Sequence, residues 1–231
     1  MQMVAHAGVV AAAGGGAAGP SLPTTDLLAR LTAKAGITTG ATFAWADQVG
    51  SADAVQSILG DQPTDSSPVS VDFDGIDHWL DWTGLETSGN AWTVLLAISA
   101  DGDAGTTQRL FHSASGVELR YQNSAPSVTT KLTVNGTTIA TFALTVGDQI
   151  LTIQGDGVGK AYCWIDGVDQ SSGGVAVTDI GISGAVSLAG TQSSGTFPFG
   201  GSIYEVLVYD AALDATARAA ARAWLTAEHG L

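Results

Sequence analysis

The chain has 231 residues, 45% of them hydrophobic and only 13% charged, with 30 glycines, which suits one large, turn-rich all-β domain better than a pair of small ones. Its 22 acidic against 8 basic residues give a formal net charge of -14, so a nucleic-acid backbone or an anionic membrane is repelled and neither is expected as a partner. A single cysteine, Cys163, excludes an intrachain disulfide, and no apolar stretch reaches the length of a membrane-spanning helix.

Residues 1–23 are the first predicted segment, a Gly/Ala-rich N-terminal arm and linker. Residues 9–18 are small and apolar like the core of a secretory signal, but no Lys or Arg precedes them and glycine is frequent, which disfavours processing. Such a segment has too little side-chain surface to order itself. The expectation is an extended arm that leaves the body and packs on other chains, with Met3, Val4, Val9 and Val10 as small apolar anchors.

One folded domain is predicted over residues 24–231. In residues 26–35, Leu27, Leu28 and Leu31 fall at helical spacing, with Asp26 as cap and Gly36 as stop, and predict a short helix. From Thr42 onward the pattern is strands and turns. Residues 92–98 and 203–209 are too apolar to face water on both sides, and are expected at inner or adjacent positions of two antiparallel layers. Asn135-Gly136 between two strand-like runs predicts a tight hairpin, because both central positions of a type I′ turn need positive φ, and Asp166-Gly167 repeats the device. Residues 149–153 form the strand before it, and Cys163 alternates inward as a small core residue. The chain closes with a helix capped by Asp214 and ended by Gly230, carrying Ala217, Ala220, Ala221, Trp224 and Leu225 on one side.

Several of these stretches carry one family's pattern. The run from Gly201 through Ile203, Glu205, Val206, Val208, Tyr209 and Asp210 to Leu213, with its terminal helix, resembles the C-terminus of concanavalin A-like, laminin-G-like jelly rolls, a family also found among phage structural proteins. Trp45-Ala46-Asp47-Gln48 is similar to that family's early "W-x-D-Q" turn, residues 73–80 to its "F-D-G-x-D-x-aromatic-L" element, and residues 164–168 to its Asp-Gly hairpin. Where the family often has Glu in the first turn of the last helix this chain has Ala217, so a capping box is missing. The resemblance implies an all-β, concanavalin A-like antiparallel β-sandwich (jelly roll) with a short C-terminal helix, preceded here by the extended arm.

Catalytic chemistry finds little to work with. Glycan-cleaving sandwiches need paired carboxylates about 5 Å apart for retention, and Glu86, Glu118, Glu205 and Glu228 begin no such pattern. His6, His78, His112 and His229 lack metal-ligand spacing, and no strained Gly-x-Ser-x-Gly elbow occurs. Asp101-Gly102-Asp103 offers oxygen ligands of the kind calcium takes, but His112 stands where an EF-hand needs Glu, and turn chemistry is the preferred reading. No cofactor is expected, calcium being the one ion these residues leave open. Of six tryptophans, Trp45, Trp92, Trp164 and Trp224 fall at core or strand positions and Trp79 at the family's aromatic position, which leaves Trp82 for stacking on a sugar. Glycan binding is therefore expected at Trp82 and at the turn-rich loops holding Asp101, Asp103 and Gln192.

The sequence reads as a non-enzymatic virion surface structural protein of a phage or phage-like particle, a head decoration, fibre or tail-tip component presenting a lectin-like module to host glycans. Its partners would be other virion proteins, through the arm, and further copies of itself within the assembly. A secreted or cell-surface bacterial carbohydrate-binding module is the alternative.

Overall fold

Alternating burial along the strands divides this chain into two layers. The computed structural model describes residues 19–101, 107–124, 127–142, 146–178, 180–190 and 197–231, with the backbone alone at 121–124, 127–130 and 142. The arm anchors Met3, Val4, Val9 and Val10, and the loop residues Asp103 and Gln192, lie outside the described residues.

In chain order the strands are β1 (Leu27–Thr32), β2 (Ile37–Thr38), β3 (Phe43–Trp45), β4 (Ala54–Gln56), β5 (Thr64–Ser66), β6 (Ser70–Asp74), β7 (Leu80–Trp82), β8 (Ala91–Ala100) and β9 (Gln108–Ser113). They continue as β10 (Val117–Ser124), β11 (Ser127–Val134), β12 (Thr137–Phe142), β13 (Gly147–Asp156), β14 (Lys160–Ile165), β15 (Val168–Asp169), β16 (Val175–Ala176), β17 (Val186–Leu188) and β18 (Gly200–Tyr209), followed by helix α1 (Ala215–His229). The first sheet runs β15-β14-β13-β8-β18-β6-β5, with β1 also on β18 and β16 on β14, and the second runs β12-β11-β10-β9-β17-β7-β4-β3-β2. Every strand pairing is antiparallel.

Strands β8 and β18 are neighbours at the centre of the first sheet, as their apolar runs predict. Their inward residues Val94, Leu96, Ile98, Val206 and Val208 join Trp45, Trp82 and Phe111 of the second sheet in the main core. Their outward residues Leu95, Ala97, Leu207 and Tyr209 meet Ala221 and Leu225 of α1 in a second cluster. Both faces of this sheet centre are thus dry, each fully buried aliphatic contributing about 1.5–3 kcal/mol. Helix α1 begins where the Asp214 carboxylate accepts from the Ala217 N–H at 2.8 Å and ends at Gly230 with φ 72°. Beneath it Glu205 is fully buried, taking Arg30 Nε at 2.7 Å on one oxygen and His229 Nε2 at 2.8 Å on the other.

The two predicted hairpin turns form, with φ 48° and 75° at Asn135-Gly136 and 49° and 84° at Asp166-Gly167. Cys163 is a buried core residue whose thiol is pushed up to about 12 by burial. The predicted helix at 26–35 does not form. Asp26 takes φ 59°, and β1 pairs with β18 across Arg30↔Leu207 and Leu31↔Val206, burying Ala29 and Leu31. The long apolar β18 supplies a ladder along one edge of β1, Asp47 and Gln48 take the Arg30 N–H and C=O on the other, and together these outweigh a weak local helical preference.

Candidate functional site

Helix α1 and its apolar cluster cover the centre of the outer face of the first sheet, whereas the outer face of the second sheet carries charged and polar side chains across several neighbouring strands. Register places that chemistry in two rows. One row crosses Asp81, Ser187, His112, Glu118 and Thr133 on β7, β17, β9, β10 and β11. The other crosses Arg109, Arg120, Lys131 and Thr141 on β9 to β12. Arg109 and His112 are an odd number of residues apart and would face opposite sides of a regular strand. A register shift opposite Leu119 and Arg120 lets Leu110 and Phe111 both enter the core, so Arg109 and His112 point the same way.

The charges on this face depart from those of the chain. Arg109, Arg120 and Lys131 are three of its eight basic residues, set beside Glu118 and Asp81 of its 22 acidic ones. Arg109 Nε pairs with Glu118 Oε1, Thr133 donates to Glu118 Oε2 at 3.2 Å, and Arg120 Nη1 stands 3.8 Å from the same oxygen. The Arg109 guanidinium also lies 4.6 Å from the ring of Phe197, which is 37% exposed. Burial and the neighbouring Arg109 push the His112 imidazole down, with Glu118 opposing, so the ring is held toward its neutral form.

Trp79 completes the face. It directly precedes β7, where Leu80 and Trp82 turn into the core, and alternation sends Trp79 the other way. It is 3% exposed yet belongs to neither apolar cluster. Gly190 lies against it, so close that a Cβ at that glycine would stand 2.7 Å from the Cβ of Trp79. Nearby, Ala189 at φ 60° and Phe197 at φ 64° hold left-handed backbone that is costly for side-chain-bearing residues.

Three side-chain atoms enclosed in this face have no hydrogen-bond partner among the described residues: Trp79 Nε1, His112 Nδ1 and Arg120 Nε. Each is closed to solvent, and leaving such a group unsatisfied costs about 1–3 kcal/mol.

Trp82, the sugar-stacking residue expected from the sequence, is fully buried and donates its indole N–H to the carbonyl of Ala52. It cannot meet a ligand; it belongs to the core because it shares a strand face with Leu80. Asp101 is exposed at the rim, its N–H bonded to the carbonyl of Gly200 at 3.3 Å. At the end of β6, oxygens and nitrogens of Asp74, Asp77 and His78 lie within 4.8 Å of one another. Asp74 Oδ1 there accepts the backbone N–H groups of Ile76, Asp77 and His78 at 2.8, 3.2 and 3.3 Å. Burial alone would raise that carboxyl, but these bonds and the adjacent His78 hold it below the ordinary range. A turn capped in this way accounts for the cluster, and an imidazole suits calcium poorly. Among the described residues Glu205 is the one fully buried carboxylate, with both oxygens engaged under α1.

No protein-family model matches the sequence, and no curated protein does. Among solved structures, the Trypanosoma rangeli sialidase trapped as a covalent intermediate with difluorosialic acid matches 91% of this chain at 14% identity and a TM-score of 0.68, over 34% of its own length. The same organism's sialidase in complex with sialic acid matches 90% at 14% identity and a TM-score of 0.67, again over 34%. The heptameric SAP-like pentraxin of Limulus polyphemus matches 66% of this chain and 81% of its own, at 14% identity and a TM-score of 0.51. The chain thus spans about a third of the length of those sialidases. The likeness is one of fold: it bears out the concanavalin A-like jelly-roll sandwich and adds nothing specific to phage proteins.

Proposed function

We propose that this chain is a non-catalytic saccharide-binding module whose ligand face is the outer face of the second sheet. The observation that carries the reading is the group of partly exposed charged side chains that strand register gathers on that face, Arg109, Arg120 and Lys131 around Glu118. A sheet face of this kind is flat, rigid and polar, and it offers donors without the paired carboxylates that glycoside cleavage needs. Glu118, the acid at its centre, is held by Arg109, Arg120 and Thr133. The likeness to sialidases stays at fold level, and fold does not fix activity.

In this proposal the module is displayed as a surface component of a phage or phage-like particle, with residues 1–20 as the anchoring arm. The acidic composition and the absence of a disulfide-forming cysteine pair are compatible with such a display. A glycan array probed with the full chain tests the binding. Immobilised saccharides should retain the chain, and Arg120→Gln should weaken that retention; an array on which no saccharide retains the chain overturns the reading. For the display, a chain lacking residues 1–20 should still bind saccharide and no longer join the particle.

A further inference from the structure

We propose that the cavity between α1 and strands β13 and β14 is an anion site, taking a phosphate or sulfate group on the guanidinium groups of Arg218 and Arg222. The site lies on the first sheet and is independent of the saccharide face on the second.

Strand register and helix spacing build the cavity. Leu151 and Cys163 turn into the main core, so alternation turns their neighbours Thr152 and Trp164, cross-strand partners on β13 and β14, toward the helix side. Arg218 and Arg222 stand four residues apart on one face of α1. With Thr152 and Trp164 they line a cavity of about 140 Å³. Both arginines are partly exposed, and the rim at Gly167, Ala215 and Ala219 is exposed, so the space opens to solvent beside the apolar cluster under the helix.

Both guanidinium groups are held in place. That of Arg218 lies 4.1 Å from the Trp164 ring, which stacks in turn on Tyr162 at 5.5 Å and 8°. Its Nη1 donates to the Leu213 carbonyl at 2.5 Å and to Gln154 Oε1 at 3.3 Å. Arg222 crosses the Asp166-Gly167 turn, where its Nη1 donates to the Asp166 carbonyl at 2.6 Å. Its Cζ lies 2.9 Å from where a Cβ of Gly167 would stand, so only a glycine there admits it.

What these two arginines lack is an anion. Arg30, Arg109 and Arg120 each pair with a carboxylate, whereas among the described residues Arg218 and Arg222 pair with none. The acids whose charge reaches Arg218 are Asp214 and Asp169. Both carboxylates are engaged elsewhere, one by the Ala217 N–H and the other by Ser171 and Gly173. Like charges four residues apart on a helix repel each other, and this pair persists in a chain of 22 acidic against 8 basic residues. Among the described residues only Nη1 of each guanidinium is bonded, and the donors on Nε and Nη2 are not closed to solvent. Two planar forks thus border one open space, as recognition of an oxyanion requires. At about 30 Å³ per water the cavity has room for about four or five waters, which suits a tetrahedral oxyanion and leaves the remainder of any ester outside.

The test titrates the full chain calorimetrically with inorganic phosphate, inorganic sulfate, methyl phosphate and, at equal ionic strength, chloride. Phosphate or sulfate should bind saturably, one ion per chain, and chloride should not. Methyl phosphate binding as tightly as inorganic phosphate assigns the site to the end group of an ester, and weaker binding assigns it to the free ion. Arg222→Gln should weaken binding about ten- to a hundred-fold, the worth of one charge-assisted bond. Ala219→Glu sets a carboxylate at the exposed rim and should weaken binding by a similar factor; it decides alone if Arg222→Gln fails to fold. Lys160→Gln, which removes a positive charge of β14 outside the cavity, should leave the affinity unchanged. The inference is overturned if no anion binds saturably, if chloride binds as tightly, or if Lys160→Gln weakens binding as much as Arg222→Gln. An affinity untouched by Arg222→Gln or Ala219→Glu, in a variant that melts like the parent, overturns it as well.

Discussion

One substitution made at two tryptophans should have opposite effects on stability. Trp82→Phe and Trp79→Phe each remove an indole N–H and about the same apolar area, costing roughly 1 kcal/mol in lost burial. At Trp82 the change also breaks the bond to the Ala52 carbonyl and opens space in the main core. The carbonyl is left unsatisfied at about 1–3 kcal/mol, so a total loss of about 2–4 kcal/mol is expected. At Trp79 the N–H has no partner, and removing it relieves a desolvation cost of about 1–3 kcal/mol. The net effect there ranges from neutral to about 2 kcal/mol stabilising. For a chain of this size each kcal/mol moves the melting temperature by about 2–4 °C, so the two variants should separate by about 4–24 °C. Urea unfolding followed by circular dichroism measures both against the parent. A Trp79→Phe protein as destabilised as Trp82→Phe would refute the reasoning by showing that the Trp79 indole already has a good partner.

Glu205→Ala leaves His229, whose side chain is 2% exposed, and Arg30, at 24%, without their common partner. Breaking a buried pair costs about 3–5 kcal/mol, and since Arg30 can regain water the lower end is expected, read as a drop in the urea midpoint; a drop worth under about 1 kcal/mol contradicts the role given to Glu205. Gly190→Ala places a Cβ 2.7 Å from the Cβ of Trp79, and overpacking of that kind costs about 1–3 kcal/mol; an unchanged melting temperature would mean that the strand end yields freely. Burial alone would raise the Asp72 carboxyl, but the hydroxyls of Ser202, Ser66 and Ser70 hold it below its ordinary value. With the folded-state pKa depressed, its contribution is present above the unfolded value of about 3.9 and is lost as pH falls through the folded one. Asp72→Asn should therefore flatten the acid limb of the stability curve, and a limb as steep as the parent's would assign that slope to other carboxylates.

The sandwich was legible in the sequence because its signals are local. The Asn135-Gly136 and Asp166-Gly167 turns, the two central apolar strands and the Asp214 and Gly230 caps each need only a few neighbouring residues to be read. The strand at 27–32 was misread for the converse reason: its conformation comes from β18, far along the chain. Among the tryptophans the available signal was passed over. In Trp79-Leu80-Asp81-Trp82, strict alternation places Leu80 and Trp82 on one face and Trp79 with Asp81 on the other, so the tryptophan of the main core could have been told from the one turned away from it. The bulge that turns Arg109 and His112 to the same side had no such signal. It is a property of the β9 and β10 register, and a register is fixed by how two layers fit together.

The two sheets divide the work of the fold unevenly, and the division bears on where a ligand belongs. At the centre of the first sheet both faces are apolar, and α1 lies across one of them, fastened by the buried Glu205 with Arg30 and His229. A ligand there would have to displace the helix and strand a buried charge. The second sheet contributes one face to the core, so its outer residues are free of that constraint. They can carry unsatisfied donors at a tolerable cost, because net stability of about 5–15 kcal/mol for a domain absorbs a few such losses. In the proposed reading, a ligand face on the second sheet and the helix on the first do not compete for the same surface.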